Sequence, residues 1–112
     1  MRFSVVLVPF PFDDLSGQKV RPAVCLTDAI GTHRHVVLAF ITSTIPPRPE
    51  PTDILLTPAM SAFAQTGLRV PSALRLHRMI TVSATIIRRQ LGTLAPAIQS
   101  DVRQRLRTMF LL

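Results

Sequence analysis

The chain has 112 residues, 47% of them hydrophobic and 17% charged, which is the length of one ordinary domain with enough apolar surface for a single core. That composition excludes a disordered chain, and no apolar run approaches the ~20 residues that a membrane span needs. Thirteen Lys+Arg against six Asp+Glu leave a formal charge of +7, a field that favours a polyanionic partner, either nucleic acid or an acidic protein segment.

The periodicity is mostly that of strands. Val5 to Val8 is a short apolar strand ended by Pro9 and Pro11, which cannot donate to a ladder. The loop Phe10 to Lys19 follows, with Gly17 permitting a turn. Phe10 and Phe12 are candidates to stack on an unpaired base and Lys19 to meet phosphate; the alternative is a surface loop whose aromatics cover the end of the fold. Val20 to Thr27 and His35 to Thr42 read as further strands, joined by a turn around Asp28 to Thr32 that contains Gly31. Strand alternation sets Arg21 on one face with Ala23 and Cys25, opposite Val20, Pro22 and Val24. An arginine in that row is either functional or paired with Asp13 or Asp14 of the preceding loop. Cys25 reads as a buried packing thiol.

The segment "IPPRPEP", Ile45 to Pro51, is too rich in proline for helix or central strand and reads as an extended surface connection. Asp53 to Thr57 reads as strand, Ala59 to Gln65 as a helical turn closed by Gly67, and Ser72 to Val82 as a longer strand. A short helical piece at Ser83 to Arg89 and a strand near Gln90 to Leu94 follow. The period then changes: Pro96 stands where a first helical residue is tolerated, and Ile98, Val102, Leu106 and Met109 or Phe110 mark one helical face. Arg103 and Arg107 lie on the solvated side, and Asp101 can pair with Arg105 at i, i+4. Ala95 before Pro96 offers no side-chain cap.

Charge is unevenly distributed. Residues 1–56 carry five basic and five acidic groups, whereas residues 57–112 carry eight arginines against Asp101 alone. Arginine, with its planar fork of donors, suits phosphate and carboxylate better than lysine. Three histidines and one cysteine without ligand spacing predict no metal site and no cofactor. His33 and His35, flanking Arg34, are a rival acid and base pair for chemistry near neutral pH, although polar alternation in a turn explains them as well.

Several stretches carry a more specific signal. "VVLVPFPFDDLSGQKVRPAVCL", "AFITST", "TDILL", "GLRVPSALRLHRM" and "IIRRQLGTLAP", followed by the terminal helix, resemble in order and spacing the MazF/PemK family of toxin ribonucleases. The resemblance runs over nearly the whole chain, which reads as a single domain over residues 1–112. It implies a mainly β fold with a C-terminal helix, an SH3-like small β-barrel. It also implies a symmetric homodimer, and an endoribonuclease that cuts single-stranded RNA at short motifs without a metal. A cognate antitoxin with an acidic tail is the second implied partner. No membrane segment is expected, and the start "MRFSVVLVPF" has no small-residue cleavage site, so the expected location is the cytoplasm.

By that resemblance Arg21 matches the active-site arginine and Thr42 the second site residue. A guanidinium stabilises charge on a phosphorane, and its pKa above ~12 makes it a poor proton acceptor, so its expected role is chiefly electrostatic. A hydroxyl at Thr42 can donate to a phosphate oxygen, with local backbone bonding as the alternative; Ser43 could share the role or point to the opposite face. The chain departs from the family's pattern at Phe3 and Ser4, where Gly-Asp is usual, and at His77, where an acidic residue is common. The alternative function is a noncatalytic SH3-like binding module or an inactive toxin homologue.

Overall fold

The computed structural model describes residues 1–9 and 19–112. Among them are six strands, β1 (Ser4–Pro9), β2 (Val20–Cys25), β3 (His35–Thr42), β4 (Asp53–Leu56), β5 (Ser72–Ser83) and β6 (Arg89–Thr93), followed by one helix, α1 (Pro96–Phe110). The strands form one antiparallel sheet in the order β4-β5-β3-β2-β1-β6. The sheet curls into a half-barrel with the helix packed on it, the mainly β class that the sequence implies.

Alternation along the strands supplies a core on each face of this sheet. On one face Val5, Val24, Ala39, Ile41, Leu74 and Leu76 meet Leu56, Phe63 and Leu94 and the helical residues Ile98 and Val102. On the other face Val6, Val8, Ala23, Cys25, Val36 and Leu38 are packed against Ile80 and Val82 and against Ile86 and Ile87 of the turn after β5. The pattern in the sequence thus maps onto two apolar layers; of the expected helical stripe Ile98 and Val102 are buried, whereas Phe110 at its far end is exposed. Leu106 packs at its edge.

Boundaries shift where side chains or turns intervene. β2 stops at Cys25 rather than Thr27 because the Thr27 hydroxyl, not its carbonyl, accepts the Val37 N–H at 3.2 Å. The helical turn expected over Ala59 to Gln65 is a series of tight turns, with Met60 N–H on Thr57, Phe63 N–H on Met60 and Thr66 N–H on Phe63. Only Ala64–Thr66 is a 3-10 helix. Gly67 closes it with φ 74°, and a Cβ there would lie 2.1 Å from the Leu91 carbonyl oxygen, so glycine is needed for conformation and for the approach to β6. The short helical piece after β5 is Ala84–Ile86, capped by the Ser83 hydroxyl, and β6 begins at Arg89.

Phe3, one of the departures from the family's pattern, has φ 66°, the left-handed region that glycine favours. Its ring is buried in the helix-side core, its N–H donates to the Cys25 carbonyl at 2.7 Å and its carbonyl accepts the Leu94 N–H at 2.9 Å. Core burial and two backbone bonds hold a conformation that costs of order 1–3 kcal/mol for a bulky residue.

Candidate functional site

The β1–β2 pairing sets Arg21 opposite Val8. Ala23 and Cys25, on the same face, are fully buried, and Arg21 is the exposed end of that row. Between β2 and β3 the register pairs Cys25 with Leu38, Val24 with Ala39 and Ala23 with Phe40. Continued two residues beyond the last pair, it brings Arg21 opposite Thr42. Both side chains line a cavity of about 200 Å³ together with Phe40, Thr44, Arg75 and Arg78.

The Thr42 hydroxyl oxygen accepts the Thr44 N–H at 3.1 Å. Its contact with the Thr44 carbonyl is 3.5 Å, beyond the usual O–H···O range, so the hydroxyl proton remains available for a ligand. The local backbone bond weighed as an alternative role is therefore present, and it orients the hydroxyl without consuming its donor. The Arg21 side chain has no hydrogen bond or ion pair among the described residues.

A bulge shapes the other wall. Along β3–β5, Ala39 pairs with Met79 and Ile41 with Leu74, so Phe40 alone opposes Arg75, Leu76, His77 and Arg78. Such an insertion bends a strand and re-aims its side chains. The bulged segment turns to β4, where Arg75 pairs with Asp53 and the Leu76 N–H donates to the Thr52 carbonyl at 2.9 Å. Arg75 and Arg78 are thereby brought to the cavity that holds Arg21 and Thr42. His77 is exposed, with its Nδ1 2.6 Å from the Thr52 hydroxyl.

A second cleft, of about 400 Å³, shares Arg21 with the first. Leu7, Pro22, Leu68, Val70 and Leu91 give it apolar walls, and Ser43, Arg69 and Arg89 add polar groups. Ser43 thus lines the second cleft and Thr42 the first; β3 ends at Thr42, so strand alternation does not extend to Ser43. The two clefts together present five arginines around β-strand backbone, an arrangement that can hold successive phosphates while an apolar wall takes a flat ring.

The remaining candidates separate clearly. Lys19 is exposed just before β2 but lines neither cleft. Phe10 and Phe12 lie outside the described residues, as do Asp13 and Asp14. His33 and His35 stack with ring centroids 5.9 Å apart. His35 begins β3 and Thr42 ends it, a separation of roughly 23 Å at the usual rise per residue, so the histidine pair and Arg21 do not share a site. Burial pushes the Cys25 thiol up to about 11, which leaves it protonated and unreactive. Among the described residues no group of three or more His, Cys, Asp or Glu side chains is arranged to hold a metal ion. Sequence reasoning missed Arg69, Arg75, Arg78 and Arg89. Their stretches, "GLRVPSALRLHRM" and "IIRRQL", were visible as motifs, but the bulge that gathers them was not.

A family model for the PemK-like, MazF-like toxins of type II toxin-antitoxin systems matches residues 1–110. Among solved structures the chain is similar to an endoribonuclease in complex with its cognate antitoxin from a mycobacterial species, with 20% identity and a TM-score of 0.70 over 100% of this chain and 95% of that one. It is also similar to the Mycobacterium tuberculosis toxin MazF-mt6, with 22% identity and a TM-score of 0.70 over 97% of each chain. At these identities the structural likeness is one of fold. No curated protein sequence matches the chain.

Proposed function

The chain belongs to the PemK-like, MazF-like toxins of type II toxin-antitoxin systems, and from that membership we propose that it is a sequence-specific endoribonuclease that cleaves single-stranded RNA without a metal. The observation that carries the reading is the register of β2 and β3, which aligns Arg21 with Thr42 in one arginine-lined groove. In the proposed reaction the 2′-hydroxyl attacks the adjacent phosphorus while its proton passes to water, a phosphorane forms, and the 5′-oxygen of the next nucleotide leaves with a proton from water, giving a 2′,3′-cyclic phosphate and a free 5′-hydroxyl. Arg21 stabilises the charge that grows on the non-bridging oxygens. Thr42 donates its free hydroxyl proton to one of those oxygens and holds the scissile group against the guanidinium. Because the nucleophile is supplied by the RNA, a fixed cation in place of a metal suits the chemistry.

Ser43 and the apolar walls of the second cleft then face a neighbouring nucleotide, and Phe10, Phe12 and Lys19 are proposed to bind RNA from the adjoining loop. The cognate antitoxin is proposed to neutralise the toxin by laying an acidic tail along the same arginines. A similar fold occurs in an endoribonuclease bound to its cognate antitoxin, which supports this partner. We further assign the protein as a single toxin domain over residues 1–112, acting as a homodimer in the cytoplasm; no helix among the described residues is long and apolar enough to cross a membrane.

The test is incubation of a long single-stranded RNA with the purified protein in excess EDTA, beside folded Arg21→Ala and Thr42→Ala variants. Cleavage at a short recurrent motif by the wild type, lost in Arg21→Ala, is the expected result. Silence of all three proteins on varied RNAs would overturn the nuclease reading in favour of a noncatalytic RNA- or protein-binding barrel.

A further inference from the structure

Asp53 is the one acidic residue among the described residues that is buried, and its side chain is fully shielded from solvent. Each carboxylate oxygen is engaged. Oδ1 accepts Arg75 Nε at 2.9 Å, and Oδ2 accepts the Glu50 N–H at 2.8 Å and lies 3.5 Å from Arg75 Nη2. Its backbone carbonyl in turn accepts Nη1 of Arg105, a residue of α1, at 3.0 Å. A buried ion pair of this kind is a poor device for stability, because desolvating two charges consumes much of what their attraction returns. What such a pair supplies well is a fixed orientation.

Arg75 shows what is oriented. Asp53 takes the Nε and Nη2 edge of the guanidinium, and among the described residues nothing engages Nη1. Arg75 is part of the cavity wall shared with Arg21 and Thr42. We infer that Asp53 is a positioning residue: by gripping one edge of Arg75 at the bulge it presents the free edge to an RNA phosphate beside Arg21. Arg78, four residues into the same bulge, lines the same cavity without any partner among the described residues and provides the internal contrast. Arg75 is pre-ordered, so it loses less rotamer freedom on binding than Arg78 does.

This inference rests on the RNA-binding reading of the groove, and the experiment separates the two. Binding of a fluorescent mixed-sequence RNA 20-mer, a length of roughly the scale of a multi-phosphate site, is measured by anisotropy for the wild type, Asp53→Asn, Arg75→Ala, Arg75→Lys and the Asp53→Asn/Arg75→Ala double variant. Thermal melting of each is recorded alongside. Arg75→Ala is expected to weaken binding by roughly tenfold, as loss of a charge-assisted hydrogen bond does. Asp53→Asn should lose most of that affinity while Arg75 is intact, and should change nothing further once Arg75 is alanine. Arg75→Lys should bind as poorly as Arg75→Ala, since an ammonium cannot be held by one edge and present another.

Wild-type affinity in Arg75→Lys overturns the inference even if Asp53→Asn fails to fold. So do penalties that add in the double variant, or an Asp53→Asn protein that melts earlier yet binds RNA as the wild type does. The function reading fails differently: the wild type then leaves long RNA uncut in EDTA, while the binding series still decides the role of Asp53. If the wild type binds no RNA at all, both readings fall together with the groove assignment.

Discussion

On α1, Arg105 donates through Nη1 to the carbonyls of Pro51 and Asp53, at 2.6 and 3.0 Å, and through Nε to Asp101 at 2.8 Å. Arg103, two residues before it, lies 5.1 Å from the centre of the Phe3 ring. In the groove, the side chains of Arg21, Arg69, Arg78 and Arg89 have neither a hydrogen bond nor an ion pair among the described residues. The two regions draw on the same basic excess for different ends. Helix arginines fasten the helix to the turn before β4 and cover an aromatic of the core, whereas groove arginines keep their donors open toward solvent. Net charge therefore measures the attraction for a polyanion poorly until each cation has been placed. Arg75, on β5 in the groove, combines the two behaviours, with its Nε tied to Asp53 and Nη1 without a partner among the described residues.

Substitution can break this contrast. The largest effect is expected at Arg21: changing it to alanine should lower the single-turnover cleavage rate by about 10²–10³-fold, the usual loss when one preorganised donor to a developing oxyanion is removed. Its melting temperature should stay at the wild-type value, because the side chain is exposed and holds nothing in the fold. A fall in stability equal to that of a core substitution would place Arg21 with the helix arginines instead.

Arg105→Ala should behave in the opposite way. Loss of the bonds to Pro51 and Asp53 is expected to cost about 1–2 kcal/mol, read as a melting temperature lower by about 5 °C, with the i, i+4 pair to Asp101 contributing little. Cleavage per folded molecule should be retained. Unchanged melting would show that the helix is fastened by its apolar face alone.

A finer measure is salt dependence. Replacing Arg89 with alanine should reduce the slope of log affinity against log salt for single-stranded RNA by about 0.7, the share of one neutralised phosphate. Arg107, exposed on α1, should leave that slope as it is. Equal slopes for the two variants would mean that the whole basic surface, rather than the groove, attracts RNA.

The smallest change is expected at Arg103. Its contact with Phe3 is a solvent-side cation–π interaction, so Arg103→Gln should lower stability by only about 0.5–1 kcal/mol by chemical denaturation. No change in RNA affinity should accompany it.

Much of this arrangement was legible in the sequence because alternation and helical period are local properties. The rows Val6–Val8 and Ala23–Cys25 announced a buried face, and Ile98 and Val102 announced the seam of α1. Arg21 stood out for the same reason, as a charge at the end of an apolar row. Its partner Thr42 came only with the family resemblance, since a threonine ending a strand has no distinctive local pattern. Phe3 shows a limit of another kind. Nothing in its neighbours signals a positive φ, which is imposed by the backbone bonds to Cys25 and Leu94 from segments far away in the chain.

The sequence by itself determined the strand-rich class, the terminal helix with its apolar face, the basic second half and, through its motifs, the family. The tertiary structure decided which arginines hold the fold and which line the groove. Pairing register brought Arg21 level with Thr42, and one bulge opposite Phe40 carried Arg75 and Arg78 to the same cavity while Asp53 reached Arg75 from β4. Register and bulges depend on contacts between segments tens of residues apart, and a periodicity read along the chain carries no information about where two distant strands come into step.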